Sequence, residues 1–149
     1  MSKLIKAATN IITVVRVVLY LRLSDEDRDK LTPEQLSESI KNQETMLRQY
    51  ADEKNWQIVG VYNDEDWSGA DSTRPHFNEM ITECEKGNVN IVLCKAQNRF
   101  ARDMELIEKY VHNLFHEWNV RFITVVDRID NFKKETKKTS QILGLQING

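Results

Sequence analysis

Residues 14–24 read VVRVVLYLRLS, and this stretch does the most to decide the fold. Its β-branched and aliphatic residues favour a buried strand over residues 14–23, since such side chains pack well on a pleated surface. Alternation along the strand places Tyr20, Arg22 and Ser24 on one face. The sequence therefore predicts a buried strand whose carboxyl end carries a hydroxyl and a guanidinium.

Three further segments share this composition and predict three more strands. They lie at residues 58–62, 91–93 and 121–126. Helical patterns separate the four strands, and strands that alternate with helices form βαβ units. We therefore expect an α/β fold with a mostly parallel sheet of four to five strands and helices on both faces. In such folds the functional groups gather at the carboxyl ends of the strands.

Local signals mark where the helices begin and end. The first begins at Thr32-Pro33-Glu34-Gln35, a capping-box pattern with proline at the first helical position, or else at Ser39. A second begins at Arg74-Pro75 and ends near Gly87. A third is expected over residues 98–118. Each of these helices connects two of the expected strands.

Length, composition and charge exclude several classes of protein. The 149 residues suit a single domain, and 40% hydrophobic and 30% charged residues are typical of a globular one. No apolar run approaches the roughly 18 residues that a membrane span needs. Arg16 and Arg22 interrupt the most apolar stretch, so we expect neither a membrane protein nor a signal peptide. The net charge of −2 does not by itself suggest a nucleic-acid partner.

The two cysteines bear on the redox compartment. Cys84 and Cys94 are too few for a disulfide framework, and they lack both the CxxC spacing and the neighbouring histidines of a metal site. We therefore expect two reduced core residues in a cytoplasmic protein.

Ser24 is the candidate nucleophile, but a serine hydroxyl needs help to react at neutral pH. It requires either a base or cations that stabilise the alkoxide and the attacked group. The three histidines, His76, His112 and His116, all fall in helical patterns, and no GxSxG elbow surrounds Ser24. A hydrolase triad is therefore poorly supported, and positive charge is the remaining means of activation.

Arginines follow the first three strands and are expected to meet at one edge of the sheet. Arg22 ends the first strand, and Arg74 follows the loop after the second. Arg99 and Arg102 follow the third, and their spacing places them on one helix face near its amino end, where they can bind an anion together. One serine and four arginines at one edge suit phosphoryl transfer, which depends on positioning and electrostatic stabilisation.

Simpler alternatives stay open for these features. Arg99 and Arg102 can be surface residues that pair with Asp103 and Glu105. The run Asp64-Glu65-Asp66 can be a magnesium site of a metal-dependent nuclease, although three consecutive acids project in different directions. The chain can also be a non-catalytic regulatory or interaction domain, because a fold does not fix a function.

Four short motifs in this order resemble the pattern of the serine recombinase family. Each is weak alone, but together they are specific, and the match runs from Arg16 to Val126. The chain is more similar to the large serine recombinases, the integrases and related transposases, than to the small resolvases. The motifs are Tyr20-x-Arg22-x-Ser24, Ser39-Ile40-x-x-Gln43, Ser68-Gly69 followed by Arg74-Pro75, and Arg99-Phe100-x-Arg102.

This resemblance implies a resolvase-like catalytic domain that breaks and rejoins DNA. Ser24 would attack a DNA phosphate to leave a 5′-phosphoseryl bond and a free 3′-hydroxyl, and attack by a 3′-hydroxyl would reverse the step after strand exchange. The four arginines named above would bind and activate the scissile phosphate, and Gln43 would help to order the site. Neither a metal nor another cofactor would be needed.

The resemblance also implies partners and a division of the chain. Family members act on double-stranded DNA as a homodimer at each site and as a homotetramer at synapsis. Residues 1–13 would form an N-terminal extension, residues 14–137 the catalytic domain and residues 138–149 the start of a truncated long interface helix, with the DNA-binding region beyond Gly149. Asn98 departs from the family pattern, because resolvases carry an aspartate there, so no general-acid role is carried over to it.

Overall fold

Four parallel strands form the sheet of this protein in the computed structural model, which describes residues 14–64 and 74–133. The strands are β1 (Arg16–Leu21), β2 (Gln57–Asn63), β3 (Ile91–Cys94) and β4 (Arg121–Thr124). Their order across the sheet is β2-β1-β3-β4, and every pair of neighbours is parallel. The predicted α/β class and parallel sheet are confirmed.

The helices lie between these strands, and the first long one begins where the capping box predicted. The Thr32 hydroxyl accepts a hydrogen bond from the backbone N–H of Gln35 (3.2 Å), and the Gln35 side chain accepts one from the Thr32 N–H (3.0 Å). The helices are α1 (Asp25–Lys30), α2 (Pro33–Glu53), α3 (Pro75–Glu85), α4 (Gln97–Phe100), α5 (Met104–Leu106), the π-helical segment π1 (Ile107–Leu114) and α6 (Phe115–Glu117).

The sheet separates two layers of core, because alternate side chains of β1 point to opposite faces. On one face Val17, Leu19 and Leu21 pack against α2. On the other face Val18 and Tyr20 pack against α3 and π1. The prediction of helices on both faces is therefore confirmed.

The order of the strands creates a crevice between β1 and β3. From β1 the chain passes to β2 on one side, and it later returns to place β3 on the other side of β1. Such a switch point opens at the carboxyl ends of the two strands and is where open α/β sheets bind ligands. The segments that follow β1 and β3 carry Ser24 and Arg99, so the topology brings both to this crevice.

The single helix predicted over residues 98–118 is wrong. Ala101 takes an extended conformation (φ −160°, ψ 146°), which ends α4. The Asp103 side chain then caps the amino end of α5 and starts a new helix. Arg99 and Arg102 therefore do not share a helix face, and any common action depends on tertiary contacts.

The carboxyl end of β1 also differs from the prediction. The strand ends at Leu21 rather than at residue 23, and α1, which was not predicted, follows Ser24 directly. Arg22 and Ser24 therefore lie beyond the strand, and the prediction that they share a strand face with Tyr20 is wrong.

Both cysteines are buried in the core without a disulfide, as predicted. Burial raises the pKa of the Cys84 thiol to about 12 and also raises the pKa of Cys94. Thiols are reactive as thiolates, so these two are inert at neutral pH in the folded protein.

Several predicted features fall outside the described residues. They are the extension 1–13, the acids Glu65 and Asp66, the Ser68-Gly69 motif and the helix from residue 138 onward. Within residues 14–64 and 74–133, no helix is long and apolar enough to cross a membrane.

Candidate active site

Ser24 is half-buried and forms the amino-terminal cap of α1. Its Oγ accepts a hydrogen bond from the backbone N–H of Asp27 (3.0 Å). The sequence signal for this cap is Ser-x-x-Asp at residues 24–27, which matches the start of a capping box and could have predicted α1. The hydroxyl is therefore fixed to the first turn of a short helix at the carboxyl edge of the sheet.

Arg22 is 1% exposed and joins the end of β1 to the segment after β3. Its Nε donates to the carbonyl oxygen of Arg99 (3.1 Å), and its Nη2 donates to the carbonyl oxygen of Asn98. These carbonyls lie in the last turn of α4, where a helix leaves acceptors without partners of its own. A buried guanidinium keeps its charge, so these hydrogen bonds are what make its burial tolerable.

Gln43 lies on α2 and is buried behind Arg22. Its Nε2 donates to the backbone carbonyl of Arg22 (3.2 Å), while its Oε1 is buried without a hydrogen-bond partner among the described residues. The Gln43 amide thus holds the backbone that precedes Ser24, and its role in ordering the site stays a prediction.

Arg74 is 0% exposed and lies directly before α3, in contact with Tyr20 on β1 and with Phe100 in α4. Its Nη1 donates to the Tyr20 hydroxyl (2.9 Å) and to the Phe100 carbonyl (2.5 Å). Its guanidinium carbon lies 4.0 Å from the centroid of the Phe77 ring, a cation–π contact. Arg74 thus reaches the same segment as Arg22, at the next carbonyl along the chain.

Asp64 holds this network together and is a residue whose role the sequence did not reveal. Its Oδ2 accepts from the Tyr20 hydroxyl (2.7 Å) and from the backbone N–H of Phe77 (2.9 Å), and its Oδ1 accepts from the N–H of His76 (3.1 Å). The carboxylate therefore caps the amino end of α3 and orients Tyr20 towards Arg74. Burial raises the pKa of the Tyr20 phenol, which stays protonated as the donor to Asp64.

Arg99 and Arg102 both extend from the segment after β3 to the first turn of α1. Arg99 Nη2 lies 3.4 Å from Asp27 Oδ2, and Arg102 Nη1 pairs with the Asp25 carboxylate. Arg99 is only 9% exposed, and its Nε and Nη1 are buried without hydrogen-bond partners in the part of the chain that the structure describes. Arg99 therefore has hydrogen-bond donors that its contact with Asp27 leaves unused.

The predicted residues are therefore brought together around one segment, 98–102. Arg22 and Arg74 donate to its carbonyls, and Arg99 and Arg102 belong to it. Its exposed side meets α1, which begins at Ser24. The arrangement holds Arg99 and Arg102 against the helix turn that Ser24 caps, while the buried guanidiniums of Arg22 and Arg74 hold the backbone that carries them.

Among the described residues, the acidic run 64–66 does not provide a metal site. Both oxygens of Asp64 already accept hydrogen bonds, and Glu65 and Asp66 lie outside the described residues. Over residues 14–64 and 74–133, no cluster of three or more histidine, cysteine or acidic side chains is placed to hold a metal ion.

Comparison with known families gives a match over most of the chain. The profile of the family described as Resolvase, N-terminal domain, matches residues 17–146. Among proteins with curated functions, none is similar enough to count as a match.

Solved structures give a consistent set of neighbours. The N-terminal catalytic domain of TP901-1 integrase is 25% identical with a TM-score of 0.69, over 89% of this chain and 94% of that one. The C-terminal catalytic domain of ISC1926 TnpA, an IS607-like serine recombinase, is 28% identical with a TM-score of 0.59, over 74% and 67%. A resolvase family site-specific recombinase from Streptococcus pneumoniae, 24% identical with a TM-score of 0.65 over 90% and 91%, supports the fold.

Proposed function

This chain belongs to the resolvase family, as an N-terminal domain of the large serine recombinase type, and we propose that it breaks and rejoins DNA with Ser24 as the nucleophile. The observation that carries the proposal is the meeting of Arg99 and Arg102 with the helix turn that Ser24 caps. A serine without a histidine base would need such neighbouring positive charge to stabilise its alkoxide and the attacked phosphate.

The reaction would be a pair of phosphoryl transfers. Ser24 Oγ attacks the phosphorus of a DNA phosphodiester, and its proton is lost as the new bond forms. The O3′ of the broken strand leaves and takes up a proton, so the 5′ phosphate stays on the serine. Attack by a 3′-hydroxyl of the exchanged strand reverses these events and frees Ser24. Each step exchanges one phosphoester bond for another, so no external energy source enters the balance.

The arginines would divide the work according to their burial. Arg99 has buried donors without partners among the described residues, and Arg102 is exposed, so these two suit direct contact with the non-bridging oxygens of the phosphate. Arg22, Arg74 and Gln43 are buried, and they would act by fixing the segment 98–102 and the backbone before Ser24.

The number of strands that are cut sets the number of subunits. Recombination between two duplexes breaks four strands, and one Ser24 can hold one 5′ phosphate. We therefore propose a homodimer on each double-stranded site and a homotetramer that joins two sites. Residues 14–137 would be the catalytic unit of that assembly, with residues 138–149 opening its interface helix.

Loss of covalent attachment tests this function. In the recombinase that carries this domain, Ser24→Ala should abolish SDS-stable protein–DNA complexes while binding to the DNA site persists. Ser37→Ala, at an exposed position on α2, is the matched control and should form the complexes normally. Complexes that persist in Ser24→Ala would overturn the assignment. A nuclease, by contrast, would give cleavage without any linked protein, and a non-catalytic domain would give neither.

A further inference from the structure

We propose that Asp25 and Asp27 are positioning residues that occupy, in the DNA-free protein, the anion-binding positions of Arg102 and Arg99 that a DNA phosphate takes. The inference rests on the proposed function, because it concerns the same arginines. It adds that the acids on α1 compete with the substrate and must give way to it.

The contacts join two distant parts of the chain. Arg102 pairs with Asp25 across 77 residues, and Arg99 pairs with Asp27 across 72 residues. Both acids lie in the first turn of α1, and the backbone N–H of Asp27 is the group that binds Ser24 Oγ. The residue that pairs with Arg99 therefore also holds the nucleophile in its present position.

A carboxylate and a phosphodiester present the same feature to a guanidinium. Each carries one negative charge spread over two oxygens, which matches the paired N–H donors of arginine. Arg99 keeps Nε and Nη1 buried without partners while Asp27 meets only its Nη2. A phosphate that enters between Arg99 and Arg102 can use the two Arg99 donors that Asp27 leaves unused.

The more exposed of the two ion pairs, Arg102 with Asp25, is weak enough to be exchanged. The side chains of Arg102 and Asp25 are 48% and 41% exposed, so solvent screens their attraction. Exposed pairs of this kind contribute little to stability, roughly 0.2–1 kcal/mol, or about a 1.4- to fivefold effect on a competing equilibrium. Phosphate binding would break both pairs and so free the first turn of α1, in which the Asp27 N–H binds Ser24 Oγ, from the segment 98–102.

Phosphate titration of the chain tests the competition directly. The probe is inorganic phosphate, added to the 149-residue chain labelled with ¹⁵N in arginine, and the readout is the Nε–Hε resonances of Arg99 and Arg102. Replacing both acids, Asp25→Asn with Asp27→Asn, should tighten phosphate binding by about two- to twenty-fivefold if each pair contributes in this range and the two effects multiply. Asp25→Asn alone, read through Arg102, should tighten it by about 1.4- to fivefold, and it carries the test if the double variant does not fold.

Glu26→Gln is the matched control, because it removes one negative charge from the same turn. Glu26 pairs with Lys30 and not with an arginine of the site, so phosphate affinity should stay close to that of the unchanged chain. Acid variants that bind phosphate no more tightly than Glu26→Gln, including no binding by either, overturn this inference.

Arginine variants separate this inference from the proposed function. Arg99→Gln and Arg102→Gln, each made singly and read through the Nε–Hε resonance of the arginine that remains, should lose the phosphate response. If they bind phosphate as well as the unchanged chain, the arginine contribution to the proposed function fails. If they lose binding while the acid variants gain nothing, only the competition by Asp25 and Asp27 fails.

Discussion

The guanidinium of Arg22 shows how one residue can serve structure and chemistry together. It is buried, it cannot lose its proton, and it donates to carbonyls at the end of α4. Arg102 has the same chemistry but is exposed and pairs with Asp25 at the surface. Their burial, rather than their type, decides what each substitution should do to stability.

Alanine at these two positions should therefore have unequal effects on folding. Arg22→Ala leaves buried carbonyls without donors and should lower the free energy of unfolding by about 3 kcal/mol. Arg102→Ala should lower it by less than about 1 kcal/mol, since only a screened surface pair is lost. Urea denaturation of the 149-residue chain measures both values. Equal losses at the two positions would contradict the structural role given to Arg22.

Elements whose limits depend on neighbouring residues were predictable from the sequence. Thr32 and Gln35 each accept a hydrogen bond from the other's backbone N–H, so residues only three apart determine where α2 begins. The same kind of signal stands at Ser24 and Asp27, and it would have predicted α1 as well. The break at Ala101 is different, because it depends on tertiary contacts.

Those tertiary contacts join residues far apart in the chain. Arg22 and Arg74 donate to the carbonyls of Asn98, Arg99 and Phe100 from 26 to 77 residues away, and no local pattern encodes such contacts. For the same reason the sequence offered nearby acids as partners of Arg99 and Arg102, whereas the structure pairs them with α1. Residue types at the site were predictable, but their partners were not.

The start of β4 is tied to the turn that follows the strand by an ion pair whose strength should depend on pH. Arg121 donates to both oxygens of Asp130, at 3.1 Å from Nε to Oδ1 and 2.6 Å from Nη2 to Oδ2. Partial burial raises the pKa of Asp130, but the hydrogen bonds and charge of Arg121 and the backbone N–H of Phe132 outweigh burial and leave that pKa below its usual value. A depressed folded-state pKa means that the contribution is present above the unfolded value and lost as the pH falls through the folded one.

Asp130→Asn should accordingly destabilise the protein in a pH-dependent way. At neutral pH the expected loss in the free energy of unfolding is about 1–2 kcal/mol, as for a hydrogen-bonded charged pair. The difference from the unchanged chain should shrink as the pH falls below about 4, where unfolded aspartate becomes protonated. Denaturation curves across that range give the values, with Asp52→Asn on the exposed surface of α2 as the control. A gap that stays constant on acidification would show that the charge of Asp130 is not what matters.

At the scale of the whole molecule, the site follows from the order of the strands. β1 and β3 are neighbours at the centre of the sheet, so the residues that follow them meet at one crevice although more than 70 positions separate them. The alternation of strands and helices predicted this class of fold and the edge on which to look. Sequence patterns did not predict the ion pairs that join α1 to the segment 98–102.

Locating the covalent bond between protein and DNA tests directly whether Ser24 is the nucleophile. The recombinase that carries this domain would be quenched with SDS in cells that hold its DNA target, digested with nuclease and protease, and examined by mass spectrometry. If Ser24 is the nucleophile, a 5′-linked nucleotide should be found on the peptide that contains Ser24. A nucleotide on any other residue, or cleaved DNA with free 5′ phosphates and no modified peptide, would contradict it.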